Sequence, residues 1–291
     1  MLKINGLGTA LITPFRGGAV DYESYRVLVR RQVEAGVDFL VPLGSTAETP
    51  CLEDGEKVEL LKITRESFGG PVIAGAGTNS LQATLRTMRL LDPCGPDAWL
   101  VVVPYYNKPT QEGMYQYFKA VAESTDKAVV LYNVPGRTGS NIRPETVLRL
   151  AEIPNIVAIK EASGDVAQIL AIRRAAPADF AVLSGNDDQT LPLMASGCDG
   201  IISVAANLAP KQMAALCAAV SRGDMAEAVR LNNTLMPLYD ACFIESNPIP
   251  VKGGLHVLDL CANELRLPLT PATEPTLVLM RRVLSTLGIT A

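Results

Sequence analysis

Two side chains that could do chemistry each close a short apolar run. Lys160 ends the run Ile156–Lys160, and Tyr132 ends the preceding run, Ala128–Tyr132. Burial lowers the pKa of a lysine from about 10.4 and exposes a nucleophilic amine, which imine formation with a keto group requires. A phenol beside that amine could carry protons. The alternatives are a lysine that reaches solvent or pairs with Glu161, and a tyrosine that only caps the end of its strand.

Three loop segments add candidate binding residues. Gly44–Glu48 has small residues and two hydroxyls after a strand-like run, a composition that suits a bound anion but also occurs at ordinary helix caps. Arg137 follows Tyr132 in the chain and could clamp a carboxylate with two hydrogen bonds, or could be a surface arginine. Tyr105 and Tyr106 follow another apolar run, and either could be structural.

Other common chemistries lack the residues they need. His256 is the single histidine, and it lies in a helix-like stretch without an acidic or cysteine cluster. This argues against a zinc site and against a Ser-His-Asp triad. The six cysteines are scattered without metal-clip spacing and predict reduced, mostly buried thiols. We therefore expect no cofactor, whether metal, nucleotide or flavin.

The elements that must position these side chains alternate regularly. Eight strand-like runs are followed by helix-like segments, which predicts a parallel (β/α)₈ TIM barrel. The runs are apolar on both faces, as expected when helices cover the outside. Active sites of such barrels lie at the carboxyl ends of the strands, where Lys160 and Tyr132 should be neighbours. The predicted strands are Gly8–Thr13, Phe39–Leu43, Val72–Gly75, Trp99–Val103, Ala128–Tyr132, Ile156–Lys160, Ala181–Ser184 and Gly200–Val204.

Beyond about residue 208 the strand-like runs stop. The remaining chain reads as helices separated by glycine and proline, which predicts a helical C-terminal appendage. We therefore divide the chain into a catalytic barrel, residues 1–208, and a C-terminal helical domain, residues 209–291. The predicted C-terminal helices are Pro210–Ser221, Met225–Leu238, Pro250–Leu260 and Glu274–Leu287.

Composition narrows the class of protein. The 291 residues are 48% hydrophobic, which is enough for a large core. The net charge of −4 and the lack of a long basic block argue against a nucleic-acid partner. No apolar run approaches the roughly 18 residues that span a bilayer, and the N-terminus lacks a signal-peptide pattern. We expect a cytoplasmic protein without membrane contact.

Several motifs together, in order and at family spacing, resemble the dihydrodipicolinate synthase family of the pyruvate-aldolase superfamily, which includes N-acetylneuraminate lyase. The likeness covers about residues 4–290. It implies a homotetrameric lyase, a dimer of dimers, that condenses pyruvate with L-aspartate 4-semialdehyde to 4-hydroxy-tetrahydrodipicolinate in lysine and diaminopimelate biosynthesis. The matching segments are Gly44–Glu48, Pro71–Gly77, Pro104–Gly113, Tyr132–Gly139, Ile156–Ser163, Leu183–Asp187 and Asn247–Lys252.

The resemblance also implies a role for each site residue. Lys160 forms the Schiff base with pyruvate, and Tyr132 is the central acid/base. Ser45 and Tyr106 complete a proton relay with Tyr132, and one tyrosine of the adjacent pair crosses a dimer interface. The implied substrate-binding groups are Thr46 and the backbone at Ile202, for the pyruvate carboxylate, and Arg137, for the carboxylate of the semialdehyde.

Two positions depart from the family pattern. Ser45 stands where threonine is usual and keeps the hydroxyl but not the methyl that holds a threonine rotamer. Ala47 stands where glycine is usual. Serine is also what the neuraminate lyase branch carries, so another pyruvate-dependent aldolase, of the sugar-acid or 4-hydroxy-2-oxoglutarate type, is one alternative. A keto-acid-binding regulatory barrel is a second alternative, although binding alone needs no proton relay. Arg137 and the segment Pro104–Gly113 favour the synthase.

Lysine feedback is a separate expectation from the resemblance. Lysine-sensitive bacterial relatives bind the effector at a dimer interface with two histidines and a glutamate. The corresponding residues here are Asp54, Lys57 and Ala83, while Asn79 and Tyr105 are kept. Lys57 would repel a cationic effector, and Ala83 offers it no carboxylate. We expect weak or absent inhibition by L-lysine.

Overall fold

The structure, a computed structural model, describes residues 2–290. Within this range eight parallel strands form one sheet: β1 (Gly6–Ala10), β2 (Phe39–Val41), β3 (Ile73–Gly75), β4 (Ala98–Val102), β5 (Ala128–Asn133), β6 (Ile156–Glu161), β7 (Ala181–Ser184) and β8 (Gly200–Ser203). The strand order is β2-β1-β8-β7-β6-β5-β4-β3, and an isolated parallel bridge between Leu40 and Val72 closes the ring. The predicted TIM barrel is confirmed.

The first strand is the one whose predicted bounds differ most from the structure; those of β4, predicted as Trp99–Val103, are shifted by one residue. β1 is Gly6–Ala10, whereas the apolar pattern placed the strand at Gly8–Thr13. The apolar residues beyond Ala10 are buried in a loop instead of a ladder. There Leu11 N donates to Val41 O at 3.1 Å, and Ile12 N donates to the side chain of Asn207 at 3.3 Å. Burial without strand pairing therefore misled the assignment.

Helices cover the outside of the barrel. Asp21, Thr110 and Asp165 each cap a helix by accepting a hydrogen bond from the backbone N–H three residues further on. The α-helices of six or more residues are α1 (Tyr22–Glu34), α2 (Asp54–Ser67), α3 (Leu81–Leu91), α4 (Gln111–Glu123), α5 (Pro144–Ala151), α6 (Val166–Ala175), α7 (Thr190–Ala195), α8 (Pro210–Ser221), α9 (Met225–Ala241), α10 (Ile249–Val257) and α11 (Glu274–Thr286). A single helical turn, Pro135–Thr138, carries Arg137.

The barrel separates two apolar layers. One cluster fills the barrel interior and includes Val130, Tyr132, Ala158 and Ile202, while a larger cluster lies between the strands and the helices. Side chains alternate between these layers along each strand. Lys160 is two residues after Ala158 and therefore faces the interior, on the same side as Tyr132.

The C-terminal helices share the larger apolar cluster with the barrel helices and add a small cluster of their own, formed by Ile249, Leu265 and Ala272. The larger apolar cluster runs continuously from the barrel helices into α8, α9, α10 and α11. α8 packs against β1, as the eighth helix of a barrel does. The boundary between residues 208 and 209 stays a prediction about chain organisation.

Candidate active site

A cavity of about 480 Å³ opens at the carboxyl ends of the strands. Loops after β2, β3, β4 and β5 form most of its wall, and the segment that leads into α10 forms the rest. Five residues that the sequence singled out line it: Ser45, Lys57, Tyr105, Tyr132 and Arg137. The cavity therefore lies where a barrel fold places an active site.

Lys160 lies beside Tyr132, although only Tyr132 of the two is among the residues that line the cavity. The ladder between β5 and β6 pairs them directly, and Lys160 Nζ lies 4.4 Å from the centre of the Tyr132 ring. Both are buried, with Lys160 5% exposed and Tyr132 6%. Gly185 leaves room for the lysine, since a Cβ there would lie 3.1 Å from Lys160 Cε. The sequence expectation that the amine and the phenol are neighbours agrees with this geometry.

Glu161 is engaged on the other side of β6. Its carboxylate accepts hydrogen bonds from Asn133 Nδ2 at 3.0 Å, Gln168 Nε2 at 3.0 Å and Ser163 N at 2.8 Å. Burial raises the pKa of the Glu161 carboxyl, against the lowering effect of these hydrogen bonds. Glu161 is therefore not the ion-pair partner of Lys160 that the alternative interpretation required.

The turn after β2 presents Ser45 and Thr46. Residues Ser45–Ala47 form one 3₁₀ turn whose N-cap is Gly44, so the Ser45 hydroxyl does not cap it. Ser45 is exposed, whereas Thr46 is buried and its Oγ1 accepts a hydrogen bond from Asn247 Nδ2 at 3.0 Å. Leu43 and Glu48 have positive φ in this loop, at 59° and 54°, whereas Ala47 does not. Ala47 in place of the family glycine therefore causes no backbone strain here.

Glu48 forms a buried ion pair with Lys252. Lys252 Nζ donates to Glu48 Oε1 at 2.7 Å, and both side chains are fully buried. Glu48 Oε2 accepts from the backbone N of Arg266 at 3.0 Å. Burial lowers the pKa of the Lys252 ammonium, and the Glu48 carboxylate opposes that shift. Sequence reasoning missed this pair, although both residues lie in segments that carried the family resemblance.

Arg137 and Asn247 share one wall of the cavity. Arg137 is exposed and donates from Nη2 to the backbone oxygen of Asn247 at 3.2 Å. Asn247 is buried, and within residues 2–290 its Oδ1 has no hydrogen-bond donor. This wall therefore offers a guanidinium and an unpaired acceptor. Sequence reasoning assigned no role to Asn247.

The two adjacent tyrosines are placed differently. Tyr105 lines the cavity, whereas Tyr106 is 87% exposed and has a left-handed backbone with φ 72°. Within one chain, Tyr106 is therefore not brought to the cavity that contains Ser45 and Tyr132. A left-handed tyrosine is uncommon and marks a backbone that the surrounding loop holds in place.

Ile202 lies on the interior face of β8 and is fully buried. The end of its strand is fixed by Asp187, whose carboxylate accepts from the Ser203 hydroxyl and from the backbone N of Val204 and Ala205, both at 3.1 Å. Burial raises the pKa of Asp187 despite these hydrogen bonds. Asp187 thereby fixes the backbone beside Ile202, a function that sequence reasoning did not assign.

Residues 2–290 contain neither a metal-binding cluster nor a membrane-spanning helix. Across residues 2–290 we find no group of three or more His, Cys, Asp or Glu side chains that could hold a metal ion. In the same part of the chain, every helix is too short or too polar to cross a membrane.

Comparison with known proteins identifies the family. The Dihydrodipicolinate synthetase family model matches residues 3–287. The 4-hydroxy-tetrahydrodipicolinate synthase of Thermotoga neapolitana is 48% identical over 290 residues, covering 98% of this chain and 99% of the relative. That of Thermotoga maritima is 49% identical with the same coverage. The crystal structure of dihydrodipicolinate synthase from Thermotoga maritima superposes with a TM-score of 0.97 at 48% identity, covering 99% of each chain. The chain therefore belongs to the dihydrodipicolinate synthetase family.

Proposed function

We propose that this enzyme condenses pyruvate with L-aspartate 4-semialdehyde to give 4-hydroxy-tetrahydrodipicolinate, a step of lysine and diaminopimelate biosynthesis in the cytoplasm. The observation that carries the chemical part of the proposal is the buried amine of Lys160 beside the phenol of Tyr132. An amine at this position can attack a keto group, and the phenol of the neighbouring tyrosine can serve as the proton donor and acceptor.

The reaction begins at Lys160. Its neutral amine attacks the keto carbon of pyruvate, and the carbinolamine loses water to form an imine. Loss of a proton from the methyl group gives an enamine, whose carbon attacks the aldehyde of the second substrate. The amino group of that substrate then attacks the imine carbon, which closes the ring and releases Lys160. Tyr132 transfers the protons that these steps require, and Ser45 relays them.

Substrate carboxylates bind on two sides of Lys160. Thr46 and the backbone at Ile202 hold the pyruvate carboxylate next to the amine. Arg137 holds the carboxylate of the semialdehyde, since a guanidinium matches a carboxylate in shape and charge. Because Arg137 is exposed, it can meet the second substrate as it enters.

Tyr106 completes the relay in a second copy of the chain. Its exposed side chain cannot act in its own cavity, but it is free to reach a neighbouring one. This assignment is part of a homotetramer built as a dimer of dimers, in which each site borrows Tyr106 from a partner.

The second candidate is a pyruvate aldolase that acts on a sugar acid or on 4-hydroxy-2-oxoglutarate. It would use Lys160 and Tyr132 in the same way but has no need of Arg137. The deciding experiment is an assay with pyruvate plus aspartate semialdehyde, run beside N-acetylneuraminate and 4-hydroxy-2-oxoglutarate.

We expect consumption of the semialdehyde and little cleavage of the other two compounds. Faster cleavage of either would favour the second candidate. A protein that binds pyruvate but yields no borohydride-trapped adduct would be a keto-acid-binding barrel and not an enzyme of this type.

A further inference from the structure

We infer that the buried Glu48–Lys252 ion pair is a positioning device for the reaction, through which the C-terminal segment orients the turn that carries Ser45 and Thr46. This inference rests on the proposed function, since it assigns those two residues to the relay and to the pyruvate carboxylate. Neither Glu48 nor Lys252 is assigned contact with a substrate. Both act through the turn.

Glu48 connects directly to the turn. It follows Ala47 in the chain, and its backbone N donates to Ser45 O at 3.2 Å. Its carboxylate is held from two places in the C-terminal segment, by Lys252 Nζ at 2.7 Å and by Arg266 N at 3.0 Å. A residue fixed at both its backbone and its side chain leaves the preceding turn little freedom to rotate.

Stability alone does not account for this arrangement. Buried ion pairs are often no more stabilising than apolar side chains of similar volume, because desolvation of the two charges offsets their attraction. The left-handed backbone of Glu48 is also unfavourable for a residue with a side chain. Two unfavourable features next to two site residues point to orientation as their purpose.

A second contact from the same segment supports this conclusion. Asn247, which leads into α10, donates to Thr46 Oγ1 at 3.0 Å and accepts from Arg137 Nη2 at 3.2 Å. Lys252 is one turn further along the same segment, in α10. A shift of this segment would therefore move Thr46, Arg137 and Glu48 together, and both carboxylate-binding positions would change at once.

A neighbouring ion pair provides a matched control. Arg266 pairs with Glu56 in the first turn of α2, with two N–O distances of 2.6 Å. This pair also joins the C-terminal segment to the barrel, but its side chains are 22% and 19% exposed and neither contacts the Ser45–Ala47 turn. Glu56→Gln thus removes a charge from the same region but leaves in place the Arg266 backbone N–H that donates to Glu48 at 3.0 Å.

The test is the double variant Glu48→Gln/Lys252→Met, which removes both charges and leaves no buried ion unpaired. We expect a melting temperature close to that of the wild type. We also expect the KM for pyruvate to rise, and kcat and the rate of borohydride-trappable imine formation to fall, by roughly 10- to 100-fold, as a displaced catalytic group causes. Glu56→Gln should change none of these quantities appreciably.

Wild-type kinetics in the folded double variant, or a lower melting temperature with unchanged kinetics, would overturn the inference. If the double variant does not fold, Glu48→Asp replaces it, because aspartate keeps both charges and withdraws the carboxylate by one methylene. The same kinetic changes are expected there, and wild-type values would again refute the inference. A wild-type enzyme that forms the imine but does not consume the semialdehyde would refute the proposed function alone, since imine rates of the variants would still decide the inference.

Discussion

The surroundings of two buried lysines differ in one decisive respect. Lys252 is fully buried and donates to the carboxylate of Glu48 at 2.7 Å. Lys160 is almost as deeply buried, but its Nζ lies over the ring of Tyr132, and the adjacent Glu161 is hydrogen-bonded to other residues. One amine therefore has a carboxylate partner, and the other has a phenol.

This difference shows that burial alone does not make a lysine a nucleophile. The amine of Lys252 is held in an ion pair by the Glu48 carboxylate and is therefore not free to attack a carbonyl carbon. An amine without a carboxylate partner, beside a phenol, is available to attack a carbonyl carbon. Lys252 in α10 is thus a structural residue, whereas Lys160 on β6 is a reactive one.

The largest expected effect is the loss of activity when Lys160, the proposed reacting amine, is replaced. Lys160→Met should abolish the borohydride-trapped pyruvate adduct and lower kcat by roughly a thousandfold or more, equivalent to about 4 kcal/mol. Mass spectrometry of the wild-type adduct should place it on Lys160 and leave Lys252 unmodified. An adduct on another lysine, or none, would sink the assignment.

The next largest expected effect is a difference in the free energy of unfolding between variants of Lys252 and Lys160. Lys252→Met leaves the Glu48 carboxylate buried without its partner and should lower the free energy of unfolding by about 3–5 kcal/mol. Lys160→Met removes a buried amine that has no carboxylate partner, so we expect unchanged or higher stability. Urea unfolding of both variants measures the difference. Equal losses would show that the two environments do not differ as described.

The third prediction concerns the binding of the second substrate by Arg137, in the cavity wall. Arg137→Ala should raise the KM for aspartate semialdehyde roughly 10- to 100-fold, because a charge-assisted hydrogen bond contributes about 1.5–3 kcal/mol. The pyruvate adduct should still form at Lys160. Steady-state kinetics with each substrate varied in turn measures both quantities, and an equal rise in the KM for pyruvate would mean that Arg137 has a structural role.

Ser45 tests whether the Lys160 region contains a proton relay. Ser45→Ala should lower kcat by about 100-fold, in the range of general acid–base effects, with little change in melting temperature. Ser45→Thr is the control and should keep substantial activity, because it retains the hydroxyl. An unchanged kcat in Ser45→Ala would show that Ser45 takes no part in a relay.

The smallest expected effect involves a third lysine. Lys57 lines the cavity and lies 3.2 Å from Asp54 Oδ1, with its side chain 16% exposed. It adds positive charge where lysine-sensitive relatives are expected to bind a cation, so L-lysine should inhibit weakly or not at all. Initial rates at substrate concentrations near KM are the measurement. Half-inhibition by submillimolar lysine would show that Asp54, Asn79 and Tyr105 suffice for binding.

The barrel and its central pair were accessible from sequence because their signals are local. Apolar runs with regular punctuation defined the strands, and consecutive strands of a parallel barrel lie side by side. The proximity of Lys160 and Tyr132 followed from that order alone. The bounds of β1 were wrong because Leu11 and Ile12 are buried without strand pairing.

The Glu48–Lys252 pair could not be predicted from local sequence signals. The two residues are 204 positions apart and meet only because α10 packs over the barrel mouth, a contact that leaves no pattern in the sequence. Which of Tyr105 and Tyr106 lines the cavity was equally hidden, since it depends on the left-handed backbone of Tyr106. Contacts made by the C-terminal segment and by loop backbone therefore need three-dimensional structure.

The seam between β2 and β3, where the barrel closes, should open locally more readily than the β5–β6 ladder. Where β5 and β6 share five register pairs, the seam has the single Leu40–Val72 bridge and the bond from Gly75 N to Pro42 O at 3.0 Å. Regions with few hydrogen bonds open at lower free energy than the whole fold. Backbone amide hydrogens of β2 and β3, near Ser45, should exchange with heavy water faster than those of the strands that hold Lys160 and Tyr132. We therefore expect larger fluctuation at this seam than at the β5–β6 ladder that holds Lys160 and Tyr132.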